Sequence, residues 1–136
     1  MKLNPYLNFA GNAEEALNFY KEALGGEVIM LSRYGDSPMP SDDDWKQKIM
    51  HSRLQFGDDN IIMISDTMKE HSVSTNGNIQ LSIGLNDEEK TKIIFDKLSA
   101  GGKVTMPLAK QFWGDLFGML QDKFGVSWML NCAAKK

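Results

Sequence analysis

The chain has 136 residues, of which 42% are hydrophobic and 24% charged, a composition that excludes a disordered or collagen-like chain and favours one globular domain. Fifteen Lys and Arg against eighteen Asp and Glu give a net charge of -3, which argues against nucleic acid or an anionic membrane as a partner.

Cys132 is the single cysteine, so no intrachain disulfide or CxxC motif can form. With no signal-peptide segment and no run of ~20 apolar residues, a cytoplasmic location is expected.

The first half of the chain predicts a strand, a helix and three further strands. Residues 4–9 alternate in polarity, Asn12 is a plausible N-cap, and residues 13–24 carry apolar side chains at helical spacing before Gly25-Gly26 end the helix. The strand-like runs that follow are bounded by turn residues and cover 27–34, 48–56 and 60–65. This half is therefore predicted to form a βαβββ unit over residues 3–68.

The second half repeats this order at an offset of about 74 to 76 residues. Residues 78–83 alternate, Asn86 or Asp87 would cap a helix over 88–99, and Gly101-Gly102 would end it. Strand-like runs follow again, at 103–112, 116–121 and 126–131. A second βαβββ unit, over residues 77–132, is therefore predicted within one α+β domain.

Several short segments together resemble the PhnB-like branch of the vicinal oxygen chelate superfamily, which includes glyoxalase I, extradiol dioxygenases and bleomycin-resistance proteins. They are Pro5-Tyr6-Leu7, Gly11–Ala16, Phe19-Tyr20, Gly102-Lys103-Val104, Met106-Pro107 and Phe112-Trp113-Gly114 followed by Phe117-Gly118. The ending Gly118–Trp128, together with the tandem units, resembles the superfamily as a whole. The resemblance covers nearly the whole chain. It implies tandem βαβββ units forming a curved mixed sheet around a cavity, and a homodimer in which sheets of two chains complete the cup. Members are often labelled demethylubiquinone methyltransferases, but no glycine-rich loop after a strand supports that label here.

The superfamily holds a divalent metal with residues of the first and last strands of each unit. The resemblance places those positions at Asn4, Met63, Asn78 and Met129. Amides and thioethers are weak ligands for Mg, Mn, Ni, Zn or Fe. We therefore expect a site without a metal or another cofactor.

Strand alternation predicts which polar side chains face the cavity. Residues Leu7, Phe9, Leu81 and Ile83 should face the helices, which leaves the opposite face to Tyr6, Asn8, Gln80 and Ser82. Surrounded by Met63, Asn78, Trp113 and Met129, these side chains would line a cavity of mixed polarity. Such a cavity suits a small organic molecule.

His51 is the one candidate acid or base within a predicted strand, and its ordinary pKa near ~6.5 suits proton transfer at neutral pH. It shares a face with Arg53 and Gln55, and Arg33 or Tyr34 could approach from the preceding strand. Both arginines could hold a carboxylate or phosphonate through two hydrogen bonds. The alternatives are an ordinary sheet histidine and surface arginines. The second histidine, His71, is expected in a solvated connecting loop.

Three classes of function are compatible with these features. The first is a metal-free binding protein for a small organic ligand, analogous to bleomycin-resistance proteins. The second is a lyase, isomerase or dioxygenase, either dependent on a divalent metal or with an altered site. The third is a structural or regulatory dimer. The donor set at the metal positions favours the first class, and the sequence leaves open whether a reaction is catalysed.

Overall fold

A computed structural model describes residues 1–38, 41–69, 73 and 78–134. The chain divides into two compact units, Met1–Ser74 and Thr75–Lys136. Each unit contains a four-stranded mixed sheet and an α-helix in the order βαβββ. The predicted α+β class with tandem βαβββ units is thus confirmed. His71, predicted in a connecting loop, lies outside the described residues.

The first unit contains β1 (Tyr6–Phe9), α1 (Ala13–Leu24), β2 (Glu27–Arg33), β3 (Ile49–Phe56) and β4 (Asn60–Asp66). Its sheet has the order β1-β4-β3-β2, in which β1 runs parallel to β4 and the other neighbours are antiparallel. A short 3₁₀ turn, Tyr34–Asp36, follows β2. Helix α1 packs on β3 and β4.

The second unit contains β5 (Leu81–Leu85), α2 (Glu88–Ser99), β6 (Lys103–Lys110), β7 (Leu116–Gln121) and β8 (Ser127–Cys132). Its sheet has the equivalent order β5-β8-β7-β6, with β5 parallel to β8. Helix α2 packs on β6, β7 and β8. Neither α1 nor α2, the α-helices of the described residues, is long and apolar enough to cross a membrane.

Each sheet buries one face under its helix. In the first unit the buried strand residues include Leu54, Ile62 and Ile64, and in the second they include Leu120 and Leu130. Outside the bulges of β2 and β6, side chains alternate along each strand, so the residues next to the buried ones lie on the opposite face. We call that opposite face the helix-distal face of the unit.

The two helices have the predicted bounds, but the strands differ at their ends. Strand β1 begins at Tyr6 because Pro5 has no N–H and contributes only its carbonyl, which accepts from the Met63 amide at 3.0 Å. Strand β5 begins at Leu81, the first residue paired with β8, so Asn78 and Gln80 precede the strand. Strand β2 ends at Arg33, where the 3₁₀ turn begins.

Candidate functional site

A continuous row of side chains crosses the helix-distal face of the first unit. Tyr6 pairs with Met63, Met63 pairs with Arg53, and Arg53 pairs with Met30. Paired residues on neighbouring strands place their side chains on the same face. Tyr6 is 44% exposed and Met30 is 42% exposed, so this row remains accessible within the described residues.

His51 lies beside this row and connects two of its members by hydrogen bonds. Its Nδ1 is 3.1 Å from the Tyr6 hydroxyl oxygen, and the Arg53 Nε donates to its Nε2 at 3.3 Å. The Tyr6 and His51 rings are tilted by 44° with centroids 5.6 Å apart. Three residues that the sequence predicted as site residues are therefore brought together by the sheet register.

The arginine fixes the protonation state of the imidazole. The Nε of arginine can only donate, so the Nε2 of His51 must accept and carry no proton. In a neutral imidazole the other nitrogen, Nδ1, then carries the hydrogen and donates to the Tyr6 hydroxyl oxygen. Burial lowers the pKa of His51 below its ordinary value, and the positive charge of Arg53 lowers that pKa further. Both effects favour the neutral ring that this geometry requires.

Arg53 is exposed, and the ion pairs among the described residues do not include it. Its Nε is used by His51, whereas the two terminal nitrogens have no hydrogen-bond partner in the described part of the chain. The guanidinium therefore presents a charged, unneutralised edge on the helix-distal face.

Serine and asparagine side chains extend the polar part of this face. The Ser65 hydroxyl donates to the Asn8 carbonyl oxygen, Oδ1, at 3.3 Å. Ser32 pairs with His51 across β2 and β3, and its hydroxyl oxygen is shielded from solvent without a hydrogen-bond partner in the described residues. Ser32 is not among the residues predicted from alternation, because bulges in β2 interrupt the simple alternation of that strand.

Arg33 does not join this group. Its guanidinium donates to the Glu14 carboxylate of α1 at 2.7 Å and to the Gln47 carbonyl at 2.6 Å. The hydrogen bond to Arg33 lowers the pKa of Glu14 below its ordinary value. The structure therefore places Arg33 in an ion pair with the helix rather than beside His51.

Tyr34, the other side chain expected to approach, lies in the turn after β2. Its hydroxyl donates to the Asp66 backbone carbonyl at 2.8 Å. Burial raises its pKa, and the charges of Asp66 and Tyr6 raise it further. Tyr34 is therefore a phenol that stays protonated near neutral pH and contributes no charge to the face.

The remaining predicted site residues belong to the second unit. Ser82 pairs with Met129 on the helix-distal face of that sheet, and Met129 pairs with Met119. Trp113 lies in the turn between β6 and β7, with its ring edge-to-face against Phe112 at 4.8 Å between centroids. Asn78 and Gln80 are exposed residues ahead of β5.

The positions that the superfamily uses for a metal do not fit a hard divalent cation. Met63 and Met129 offer thioethers, and Asn4 and Asn78 precede their strands with neutral amides. Within residues 1–38, 41–69, 73 and 78–134, no three His, Cys, Asp or Glu side chains form a group that could hold a metal ion.

The 3-demethylubiquinone-9 3-methyltransferase family model matches residues 1–131. Protein YjdN of Escherichia coli is 36% identical over 96% of this chain and 95% of its own length. The crystal structure of protein PA1353 from Pseudomonas aeruginosa superposes with a TM-score of 0.88, at 38% identity and 99% coverage of each chain.

A Bacillus cereus structure described as a putative 3-demethylubiquinone-9 3-methyltransferase, PhnB protein, has a TM-score of 0.81 at 31% identity, covering 98% of this chain and 100% of its own. A glyoxylase/bleomycin resistance protein/dioxygenase domain from Frankia has a TM-score of 0.70 at 11% identity, with 98% and 97% covered, and shares the fold. The chain therefore belongs to the 3-demethylubiquinone-9 3-methyltransferase family, a PhnB-like family on the glyoxalase/bleomycin resistance/dioxygenase fold.

Proposed function

We propose that the protein binds a small organic ligand on the helix-distal face of its first unit, at Tyr6, His51 and Arg53. The observation that carries this proposal is the hydrogen-bonded chain from the Tyr6 hydroxyl through His51 to Arg53. A neutral imidazole between a phenol and an unneutralised guanidinium is an arrangement that a surface without a ligand does not need. Perturbed titratable groups in such surroundings are frequent at functional sites.

The surroundings of these three residues suit an organic molecule with polar and apolar parts. Met30 and Met63 lie in the same row as Arg53, and flexible methionine side chains adapt to ligands of different shape. The exposed Asn8 adds a hydrogen-bonding amide, whose Oδ1 accepts from the buried Ser65 hydroxyl. Binding sites for small molecules commonly combine apolar walls with a few placed polar groups.

Binding without a metal is favoured over metal-dependent catalysis. The thioether and amide donors at the positions that the resemblance assigns to a metal are poor ligands for a hard divalent cation. A metal-dependent lyase, isomerase or dioxygenase is the second candidate. Elemental analysis of untagged protein separates the two, because stoichiometric Zn, Ni, Mn or Fe would favour the second candidate.

Methyl transfer, which the family description names, is not proposed for this chain. The segments 10–12, between β1 and α1, and 86–87, between β5 and α2, are short and carry a single glycine, Gly11. Nucleotide-type cofactors are typically held by a glycine-rich loop at such a strand-to-helix turn, in a parallel sheet. The two mixed sheets offer a different architecture.

We also propose a homodimer, as the family resemblance implies. The edge strand β2 supports it, since Ile29, Met30 and Leu31 are 46%, 42% and 39% exposed, and an exposed apolar edge strand favours pairing with another chain. Light scattering at micromolar concentration should return twice the chain mass. A particle of 15.3 kDa would contradict the dimer.

The binding proposal is tested by NMR with four benzene derivatives of different charge: benzoate, phenylphosphonate, benzamide and benzylamine. The chain has two histidines, so the His71→Gln variant leaves His51 as the sole imidazole to observe. At least one compound should shift the His51 ring signals in a saturable way, and His51→Ala should weaken that binding without unfolding the protein. If none of the four moves the His51 signals, the proposed site is wrong.

A further inference from the structure

We infer that this site selects an oxyanion, a carboxylate or a phosphonate, through donors from Arg53 and Tyr6 that neutral His51 holds in place. The inference rests on the proposed function and assigns the ligand class at the same site. It follows from which atoms of the three side chains are already used and which are left. The arrangement also predicts how binding depends on pH.

Arg53 has hydrogen-bond donors that no residue in the described part of the chain uses. Its Nε donates to the His51 Nε2, so the edge formed by its two terminal nitrogens remains available. That edge is planar, permanently charged and spaced to donate two parallel hydrogen bonds to a carboxylate or phosphonate. No carboxylate of the described residues forms an ion pair with it.

Tyr6 adds a donor of defined direction. Its hydroxyl oxygen accepts the hydrogen of His51 Nδ1, so its own hydrogen must point to another acceptor. Together Arg53 and Tyr6 present N–H and O–H groups without a free basic nitrogen between them. Such a set favours a ligand with acceptor oxygens and disfavours a cation.

Few other charges act on this group. Strand β1 contributes the phenol of Tyr6, and the 3₁₀ turn contributes the phenol of Tyr34. Strand β4 places Met63 and Ser65 on this face, and the side chains of these two residues do not titrate. Strand β2 contributes Ser32, Met30 and, at the far end opposite Gln55, Glu27. Asp59, after β3, accepts from the Gln55 amide at 3.2 Å, and Arg33 is paired with Glu14. The site charge is therefore set mainly by Arg53 and His51.

Protonation of His51 would weaken the hydrogen bonding of Arg53 and Tyr6 to a bound anion. The Nε2 of an imidazolium is a donor, so it would oppose the Nε–H of Arg53, and two cations would face each other. The guanidinium would then move away from its position beside Tyr6. Anion binding should therefore weaken as the pH falls, although a simple count of charge predicts the opposite.

The test measures dissociation constants of the same four compounds for the wild-type chain at about pH 8 and at a pH below the His51 midpoint, which a pH titration of the His51 ring signals in the His71→Gln variant gives directly. Benzoate should bind at least about tenfold more tightly than benzamide, as a charge-assisted bidentate pair allows, and benzylamine should bind most weakly. The ratio of benzoate to phenylphosphonate affinity distinguishes the two oxyanion sources. Benzoate binding should weaken at the lower pH, and His51→Gln should abolish that pH dependence.

Variants separate the roles of the two donors. Arg53→Met should weaken benzoate binding by about tenfold or more, and Arg53→Lys should restore only part of it because the planar fork is lost. Tyr6→Phe should cost a smaller factor, roughly threefold to tenfold for one hydrogen bond. Arg33→Met is the matched control, because its guanidinium is held by Glu14, and it should leave the affinity unchanged.

The outcomes separate a failure of the oxyanion inference from a failure of the proposed binding site. If no compound moves the His51 signals, the binding site itself is wrong. If compounds bind at His51 but benzamide equals benzoate, or benzoate binds more tightly at the lower pH, only the oxyanion inference is overturned. An Arg33→Met effect as large as that of Arg53→Met would overturn it as well.

Discussion

The helix-distal faces of the two units have the same backbone register and different chemistry. In the first unit the row across the sheet is Tyr6, Met63, Arg53 and Met30. In the second unit the row at the matching register is Ser82, Met129, Met119 and Met106. The position that matches His51 is Phe117. Only the helix-distal face of the first unit combines a cation, a phenol and an imidazole at these positions.

The faces under the helices are alike by contrast. Leu54 and Leu120 occupy matching positions, as do Ile64 and Leu130, and all four are at most 1% exposed. A repeated core keeps the same strand positions apolar because packing under a helix demands it. The repeat therefore determines the scaffold, whereas the helix-distal side chains, which packing constrains less, carry the difference between the units.

The largest contrast in stability is expected at the helix N-termini. The Asp66 carboxylate, 2% exposed, accepts from the amides of Gly11, Ala13 and Ile49 at 2.8 to 3.0 Å and so joins α1, β3 and β4. At the matching position of the second unit stands Cys132, and α2 is capped locally by Asp87, which accepts from the Lys90 amide at 3.1 Å.

Asp66→Ala should therefore lower the free energy of unfolding by about 3 kcal/mol or more, because it leaves buried amides without a hydrogen-bond acceptor. Asp87→Ala should lower it by about 1 kcal/mol, the usual loss for an exposed N-cap. Urea unfolding followed by circular dichroism measures both, and Asp66→Asn, which keeps one acceptor oxygen, should lie between them. Equal losses for the two alanine variants would show that the capping arrangements are energetically equivalent.

A second comparison concerns glycines at matching positions. A Cβ at Gly26 would lie 2.7 Å from the Gln55 carbonyl oxygen, and a Cβ at Gly102 would meet the Gln121 carbonyl oxygen. Alanine at either position must push the strand away, which should lower the melting temperature by an amount equivalent to about 1–3 kcal/mol. Gly84→Ala is the control, since a Cβ there meets no atom within 4 Å. A neutral Gly26→Ala or Gly102→Ala would mean that the helix-to-strand packing can relax.

These differences show what the sequence could predict. A local cap at Asn86 or Asp87 and the bounds of both helices follow from short-range spacing; the structure confirms the bounds and shows that the cap is Asp87. Asn12 occupies the expected N-cap position but makes no side-chain cap, because the cap comes from Asp66, distant in sequence.

The candidate site shows the same division. Alternation alone placed His51 and Arg53 on one face, and the pairing of β1 with β4 then brought Tyr6 to them. Arg33 is predicted to approach them, but β2 ends there at the 3₁₀ turn, and the Arg33 guanidinium forms an ion pair with Glu14. Hydrogen bonds between distant segments depend on sheet register and turns that no local pattern specifies.

Replacing side chains on the helix-distal face of the first unit by those of the second unit should change the free energy of unfolding only slightly. The double variant His51→Phe/Arg53→Met carries the residue types found at 117 and 119 and leaves the buried face untouched. We expect the free energy of unfolding to change by less than about 1 kcal/mol, while benzoate no longer binds. The control, Phe117→Leu/Met119→Leu, should leave benzoate affinity unchanged. Global unfolding of the His51→Phe/Arg53→Met variant would show that the polar chain is needed for the fold.

The smallest expected effect is a difference in acid sensitivity between the two faces. The pKa of His51 is lowered in the folded chain by burial and by Arg53, so the unfolded chain takes up a proton at higher pH than the folded chain does. Stability from this residue is therefore complete above the ordinary histidine pKa of ~6.5 and is lost as the pH falls through the lowered value. Phe117, at the matching position, contributes no such term.

His51→Gln should accordingly flatten the pH dependence of the unfolding midpoint as the pH falls from about 7.5 to below the ordinary histidine pKa, where the unfolded chain takes up its proton before the folded chain does. Urea midpoints of the wild-type chain and of His51→Gln, measured in parallel, isolate that term because both chains keep His71 and every carboxylate. Arg53→Met should give an intermediate slope, since it removes the charge but not all of the burial. A wild-type chain that gained stability relative to His51→Gln on acidification would mean that the folded state favours the imidazolium, and the Arg53 Nε could not then donate to His51.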